Sequence, residues 1–507
     1  MKKKIVQRIA ASGLAAMMAC GMLAGCGSST SETSVSSGET ESNEAVSEET
    51  TQISVVIVNG ANIDNAVKVE AAANEILKDT INCEINITWL DWGSYYNQLS
   101  LLLTGEDDAD LLFLAGVNTA ALAESGQLAP ITEWYEEDPE AFTQYVNEVF
   151  IDANRVDGEL YTIPCNNNFS SEACVMVNAE MADALGFDLS DDSKIWTLEE
   201  IHDMAALAKE TYPDIYAVAP QTGSTIISAY TWDTMGDSSS IGVVEDCGTT
   251  DQVVSITECE DFINFARTMH EWYSEGLIMQ DVVSNTETWS ATVPTGKAFC
   301  AFNNGGYPNE AYDPSSCGYY VLSLMENVAF SNSRMCYGIS GNSKNPEKAF
   351  AVLKELYTNS ELVNILCWGI EGENYVLNED GLGTNPEGVT TETNTYSVAH
   401  VNPWVLPNMH ISYDLEGTCV GFYEKLEAYD QSGAVSDCVG CVFDYTDVSD
   451  EYNACANVMS QYYANVMSGA VDIDEVLDDW KADLKTAGED IVIAEKQRQL
   501  DEFLASK

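Results

Sequence analysis

Ile53-Ser-Val-Val-Ile-Val58 is a continuous β-branched run without charge or alternation. A strand buried on both faces has this composition, whereas a half-exposed strand alternates polar and apolar residues. Downstream, an Ala-rich helical stretch runs through Leu77, and Glu84 to Leu90 forms a second strand. A second helix contains Leu99 to Leu103. The third strand is Asp110-Leu-Leu-Phe-Leu-Ala115, and a short helix closes at Gly126. This βαβαβ order predicts an α/β fold with a parallel sheet and right-handed crossovers.

Further along, helices are well signalled. Thr197-Leu-Glu-Glu200 is a capping box, followed by an apolar face of Ile201, Met204, Ala205 and Ala208. Apolar residues at 262, 265, 266, 269, 272 and 273 make a helical stripe closed by Gly276. Asn345-Pro346 starts another helix, with Ala349, Phe350, Leu353 and Leu356 facing inward, and a further helix runs from about Glu361 to Cys367. The chain ends in two charged amphipathic helices, roughly 472–487 and 490–505. Between Gly372 and Gly417 the pattern is irregular and predicts a hairpin and loops. No internal repeat is present.

Upstream of Ile53, residues 27–52 are almost entirely Ser, Thr, Glu and Gly. Such a segment cannot bury enough apolar surface to fold and predicts a flexible tether. Before it come a cationic start (Lys2, Lys3, Lys4, Arg8), an apolar run from Ile9 to Leu23, and Leu23-Ala-Gly-Cys26. The run is too short to span a bilayer comfortably and ends in small residues, as a cleaved export signal over 1–25 does. Leu-Ala-Gly-Cys resembles the lipobox of bacterial lipoproteins, which places a lipid on Cys26 and the mature chain on the extracytoplasmic face of the cell membrane. The competing reading is an ordinary secretory signal containing an incidental Cys.

The 507 residues are 45% hydrophobic, and the part after the signal is long enough for two domains. Four of the 21 basic residues lie in the signal and none of the 82 acidic ones, so the mature chain carries a net −65. A body so acidic repels nucleic acid and anionic membrane surfaces, and the charge itself is explained by solubility. A neutral ligand suits this field better than a polyanion. Of 15 Cys, Cys20 leaves with the signal and Cys26 takes the lipid. The remaining thirteen, an odd number at irregular spacing, do not form a disulfide pattern. Cys174 and Cys300 sit in apolar strand-like contexts as small hydrophobes. Cys438-Val-Gly-Cys441 has metal-ligand spacing, but no second pair or suitably placed His completes a metal site.

The order of several short motifs is similar to that of extracellular solute-binding lipoproteins of carbohydrate ABC importers, family 1 type. They are Asp110 to Gly116 with Ala123-Glu-Ser-Gly-Gln-Leu-Ala-Pro-Ile131, then Gly158-Glu-Leu-Tyr-Thr-Ile-Pro164 with Ala173 to Asn178. Phe265 to Gly276, Gly296-Lys-Ala-Phe299 and Asn345 to Phe350 follow. Trp368-Gly-Ile-Glu-Gly372, Phe443-Asp444, Asn453 to Asn457 and Ala494 to Asp501 look like the LipO-like subgroup with its distinctive C-terminal region. The resemblance implies a two-lobed periplasmic-binding-protein-like fold with hinge crossings and a ligand cleft. It puts lobe one at 53–164 plus 331–440 and lobe two at 165–330 plus 441–507. It also implies capture of a mono- or oligosaccharide by lobe closure, delivery to ABC permease subunits in the membrane, a monomer, and no cofactor.

Sugar recognition needs aromatic faces against the C–H side of a ring and planar polar groups for the hydroxyls. Candidates at strand ends and crossings are Asn59, Trp92, Tyr95, Gly116, Asn118, Asn166, Asn167 and Phe169 in the first half. Trp232, Asn303, Asn304, Tyr307, Trp368 and Glu371 follow, with Tyr307 at a position resembling one where family members offer an aromatic to the sugar. Each has a structural alternative: a Trp after a strand packs in a core, and Asn-rich loops set turn geometry. The rival classes are a sugar-binding lipoprotein that feeds no transporter and a glycan hydrolase. No Gly-x-Ser-x-Gly, His-Glu-x-x-His or phosphate loop is present. The abundance of carboxylates keeps an acid pair for glycoside hydrolysis open.

Overall fold

Nine strands carry the two main sheets in a computed structural model. They are β1 (Thr51–Asn59), β2 (Cys83–Asp91), β3 (Leu111–Leu114), β4 (Thr162–Pro164), β5 (Ala173–Asn178), β6 (Tyr216–Ala219), β7 (Ala298–Asn304), β8 (Tyr319–Ser323) and β9 (Cys336–Ile339). The structure describes residues 50–104, 109–167, 169–170, 172–191, 193–227, 230–304, 311–330 and 335–506. The signal, Cys26, the tether up to Glu49 and Tyr307 lie outside the described residues.

The first sheet has the order β2-β1-β3-β9-β4. β1 is parallel to both its neighbours, and β9 runs antiparallel between β3 and β4. The β-branched run is therefore central, and Ile53 and Val55 to Val58 are all buried. The helices α1 (Ala66–Ile81) and α2 (Tyr95–Thr104) connect β1 to β2 and β2 to β3, and α3 (Thr119–Glu124) follows β3. This is the predicted βαβαβ order.

The second sheet has the order β8-β5-β7-β6, with β5 antiparallel to β7 and β8. Its helix α4 (Leu198–Thr211) begins at the predicted capping box. Thr197 Oγ1 accepts from the Glu200 N–H at 3.2 Å, and a Glu200 carboxylate oxygen accepts from the Thr197 N–H at 3.0 Å. Helix α5 (Glu260–Ser274) buries Phe262, Phe265, Ala266, Met269 and Trp272, the predicted stripe. Helices α6 (Pro346–Thr358) and α7 (Ser360–Trp368) return to the first core, and α8 (Phe422–Ser432) follows a stretch that contains the hairpin Val376–Leu377 and Gly383–Thr384.

The chain closes with α9 (Ser449–Met467), α10 (Ile473–Ala487) and α11 (Glu489–Ser506) on the second core. Helices α8 and α9 were not predicted. In α9 the Asn and Ser residues that favour turns interrupt the apolar period, and packing of Tyr452, Cys455, Met459, Val466 and Met467 overrides them.

The main apolar side chains separate into two large cores. One draws on positions within 53–169 and 329–439, the other within 173–324 and 438–500. Three segments pass between them: β4 to β5, β8 to β9, and the stretch after α8. The last two pair as a parallel ribbon, Val328–Ala329 with Ala434–Val435. The strand registers put the ends of β1, β2, β3 and β4 on one edge of the first sheet. In the second sheet the ends of β6, β7 and β8 share an edge with the start of β5.

Candidate functional site

At the carboxyl edge of the first sheet, Trp92 follows β2 and is half-buried. Its ring lies 5.8 Å from that of Trp404, tilted by 32°, and 5.5 Å edge-on from Tyr95. Tyr95 itself is fully buried and works on the backbone. Its hydroxyl donates to the Phe113 carbonyl at 3.0 Å and accepts from the Ala115 N–H at 2.9 Å, fixing the end of β3. Gly116 follows with φ +62°, a conformation that favours glycine, and packs close to the Tyr96 hydroxyl. Asn59 forms a local turn through Ala61, and Asn118 caps α3 by accepting from the Ala121 N–H. These two amides serve the turn geometry that was their structural alternative.

Polar groups without partners concentrate at the next strand end. Asn166, just after β4, is buried and donates through Nδ2 to Asn408 Oδ1 at 2.8 Å, while its own Oδ1 has no hydrogen-bond partner. Asn167 donates to the Trp404 carbonyl at 3.4 Å. In the facing segment, both amide atoms of buried Asn402 and both ring nitrogens of His410 are unpartnered. His410 lies against Tyr423, with ring centroids 5.4 Å apart at 27°. Burial holds its pKa down at about 4, so the imidazole is neutral near pH 7 and offers one donor and one acceptor. Five orphaned polar atoms beside two half-buried indoles are costly in a finished core, and such groups normally find water or ligand. Among the described residues, no cation takes part in this set.

The second sheet contributes Asn303 at the end of β7, whose Oδ1 accepts from Gln221 Nε2 at 3.0 Å, and the half-buried Asn304 beside it. Other candidates point elsewhere. Trp232 is 1% exposed and packs edge-on to Phe262 inside the second core. Trp368 is buried against the backbone of Gly383 and donates through its indole N–H to Ser412 at 2.9 Å. Phe169 stacks on Phe150 at 4.5 Å. Glu371 is exposed in a depression with Asn364, Tyr375 and Tyr413. Trp404, Asn402, Asn408 and His410 escaped the sequence reading because they lie in an irregular stretch where no periodicity marks a strand end. A cavity of about 280 Å³ adjoins the β3 end, lined by Val117, Asn118, Arg155, Phe330 and the turn 439–444. Among the described residues, no group of three or more His, Cys, Asp or Glu is placed to hold a metal ion.

Residues 60–361 match the family model described as bacterial extracellular solute-binding protein. The chain belongs to this family. A second model, a domain of unknown function (DUF3502), matches residues 438–505, the distinctive C-terminal region. A relative from Streptococcus pneumoniae, a carbohydrate ABC transporter substrate-binding protein, is 26% identical over 88% of this chain and 89% of its own.

Among solved structures, the N-glycan transport solute-binding protein NgtS of S. pneumoniae matches with TM-score 0.78 at 25% identity, over 90% of this chain and 99% of that one. NgtS in complex with Man1GlcNAc matches at TM-score 0.69 and the same identity, over 90% and 100%. An extracellular solute-binding protein from Bifidobacterium longum subsp. infantis shares the fold at TM-score 0.58 and 16% identity, over 89% and 98%. The two-lobed solute-binding fold is thus established for this family member, and its S. pneumoniae relatives are substrate- or solute-binding proteins of carbohydrate transport.

Proposed function

We propose that this solute-binding protein captures a neutral carbohydrate outside the cell and delivers it to ABC permease subunits, without chemically altering it. The observation that carries the reading is the cluster of Asn166, Asn402 and His410 beside Trp92 and Trp404. Neutral groups with unpartnered donors and acceptors suit sugar hydroxyls, and the indole faces suit the apolar side of a pyranose. NgtS has been solved in complex with Man1GlcNAc, which points to the same ligand class.

The lobes proposed are 53–164 plus 331–440 and 165–330 plus 441–507; the membership of the two cores supports the division, while at its edges Cys165, Phe169 and Ala329 pack with the first core and Cys438 with the second. Asn303 and Asn304, with Tyr307, would close on the ligand from lobe two. A lipid on Cys26 would hold the protein at the membrane. No helix among the described residues is long and apolar enough to cross one.

A thermal-shift screen against mannose- and N-acetylglucosamine-containing oligosaccharides tests this, because a ligand that binds only the folded state raises Tm. The expected result is a concentration-dependent rise with at least one neutral glycan, which is recovered intact. Glycan cleavage during incubation, or a response confined to anionic solutes, would overturn the reading.

A further inference from the structure

The stretch after α8 ends in the turn 438–444, which packs on both lobes. Val439 is buried in the first core, whereas Cys438, Cys441 and Phe443 are buried in the second. Gly440 takes φ +92°, and a Cβ there would come 3.1 Å from Ala153 of lobe one and 3.3 Å from Phe503 of α11. The turn is therefore held closely between the C-terminal helix and the residue that follows the lobe-one helix Glu148–Asp152. The region matched by the domain of unknown function, 438–505, begins with this turn and contains α11.

Helix α11 grips the turn through Gln499. Its Oε1 accepts from the Asp444 N–H at 2.9 Å and its Nε2 donates to the Asp444 carbonyl at 2.7 Å, so one amide pairs with both backbone groups of one residue. Nε2 also donates to Glu495, one turn back on α11, at 2.8 Å. That third bond fixes the amide, because a flipped group would lose all three. Gln497 repeats the device on another side of the helix. Its Oε1 accepts from the Val253 N–H at 2.7 Å, and its Nε2 donates to the Asp251 carbonyl and to Asp501, each at 2.8 Å. Lys496, between the two glutamines, is buried and donates to the Gly242 carbonyl, on the strand that pairs with Val253–Ser255. Residues two apart on an α-helix project about 200° from each other. Helix α11 is therefore a bar with lobe two's ribbon on one side and the turn on the other.

We propose that the C-terminal region is a strut of the hinge, with Gln499 as the positioning residue that limits how far the lobes open. Lobe one meets the turn through Val439 and Ala153. While Asp444 is clamped to α11, the turn stays with lobe two, and lobe one swings away only by unseating the buried Val439 side chain, which exposes apolar surface. With the clamp released, the turn can travel with lobe one and the cleft opens wider. The inference rests on lobe closure in the proposed function and is independent of which solute is bound.

Small-angle scattering and amide hydrogen exchange of the ligand-free full-length chain test it. Gln499→Leu should shift the radius of gyration upward and speed exchange over 148–156 of lobe one, across the turn from α11. Gln497→Leu, which removes the equivalent bonds within lobe two, should leave both at their wild-type values. Val439→Ala keeps the clamp but withdraws the seated side chain, and should produce the same two changes as Gln499→Leu. Circular dichroism establishes that each variant is folded, and Val439→Ala decides the question if Gln499→Leu is not. A folded Gln499→Leu with the wild-type radius of gyration would overturn the proposal. So would a wild-type radius in Val439→Ala, or a Gln497→Leu that opens as far as Gln499→Leu. Because no solute is added, a protein that proves to carry something other than a glycan leaves the test intact.

Discussion

Trp232 and Trp404 look alike as residues in the sequence, each in a polar or irregular stretch, and the fold gives them opposite tasks. Trp232 is fully enclosed by the second core, edge-on to Tyr230 and Phe262. Trp404 is half-buried beside Trp92, on the edge where Asn166 and His410 leave polar atoms unpaired. Trp232→Ala leaves a large void and should cost about 3–5 kcal/mol of stability. Trp404→Ala would remove one face of the proposed site, with a smaller effect on stability. Chemical denaturation followed by calorimetry with a glycan identified in the screen separates the two outcomes. Trp404→Ala should weaken binding at least tenfold, and a variant that binds normally would remove Trp404 from the site. Trp232→Ala should be measurably unfolded at denaturant concentrations that leave Trp404→Ala intact.

At the scale of elements, α11 is held by an interaction its amphipathic pattern does not reveal. Lys496 is completely buried, and its ammonium contacts Asp237 at 3.2 Å and the Gly242 carbonyl at 2.7 Å. Tyr452 of α9 donates to the same Asp237 at 2.8 Å, so two terminal helices converge on one loop of lobe two. Lys496→Met would leave Asp237 buried without its cation and should cost about 3–5 kcal/mol. Asp237→Asn combined with Lys496→Met should recover part of that loss. Urea unfolding of both variants checks it, and a single variant as stable as wild type would show that the pair does not hold α11.

The boundary of what the sequence discloses follows from the same physics. β1, α4 and α5 were legible because burial, capping and period each write a local pattern. The Lys496–Asp237 pair joins residues 259 apart in the chain, and the cluster around His410 comes from a segment with no period. Tertiary packing alone brings these groups together. Asn59 and Asn118 were legible as strand-end amides, but their turn and cap roles appear only once backbone N–H groups are located.

For the whole molecule, binding and delivery are separate problems, and the lipid proposed on Cys26 would address the second. A receptor held by a lipid on Cys26 would sample the membrane surface continuously, whereas a free one would be diluted into the medium. The acidity of the chain, 82 acidic residues against 21 basic ones, would add to this need, since so acidic a body is repelled by anionic headgroups. Cys26→Ser should therefore move the protein from the detergent phase to the aqueous phase on phase partitioning, with the glycan affinity of the folded part unchanged. In cells that carry the matching permease, uptake should fall most at low glycan concentration, where recapture near the membrane counts most. A Cys26→Ser protein that still enters the detergent phase would show that another feature anchors the chain. Uptake unaffected at every glycan concentration would show that proximity does not limit delivery.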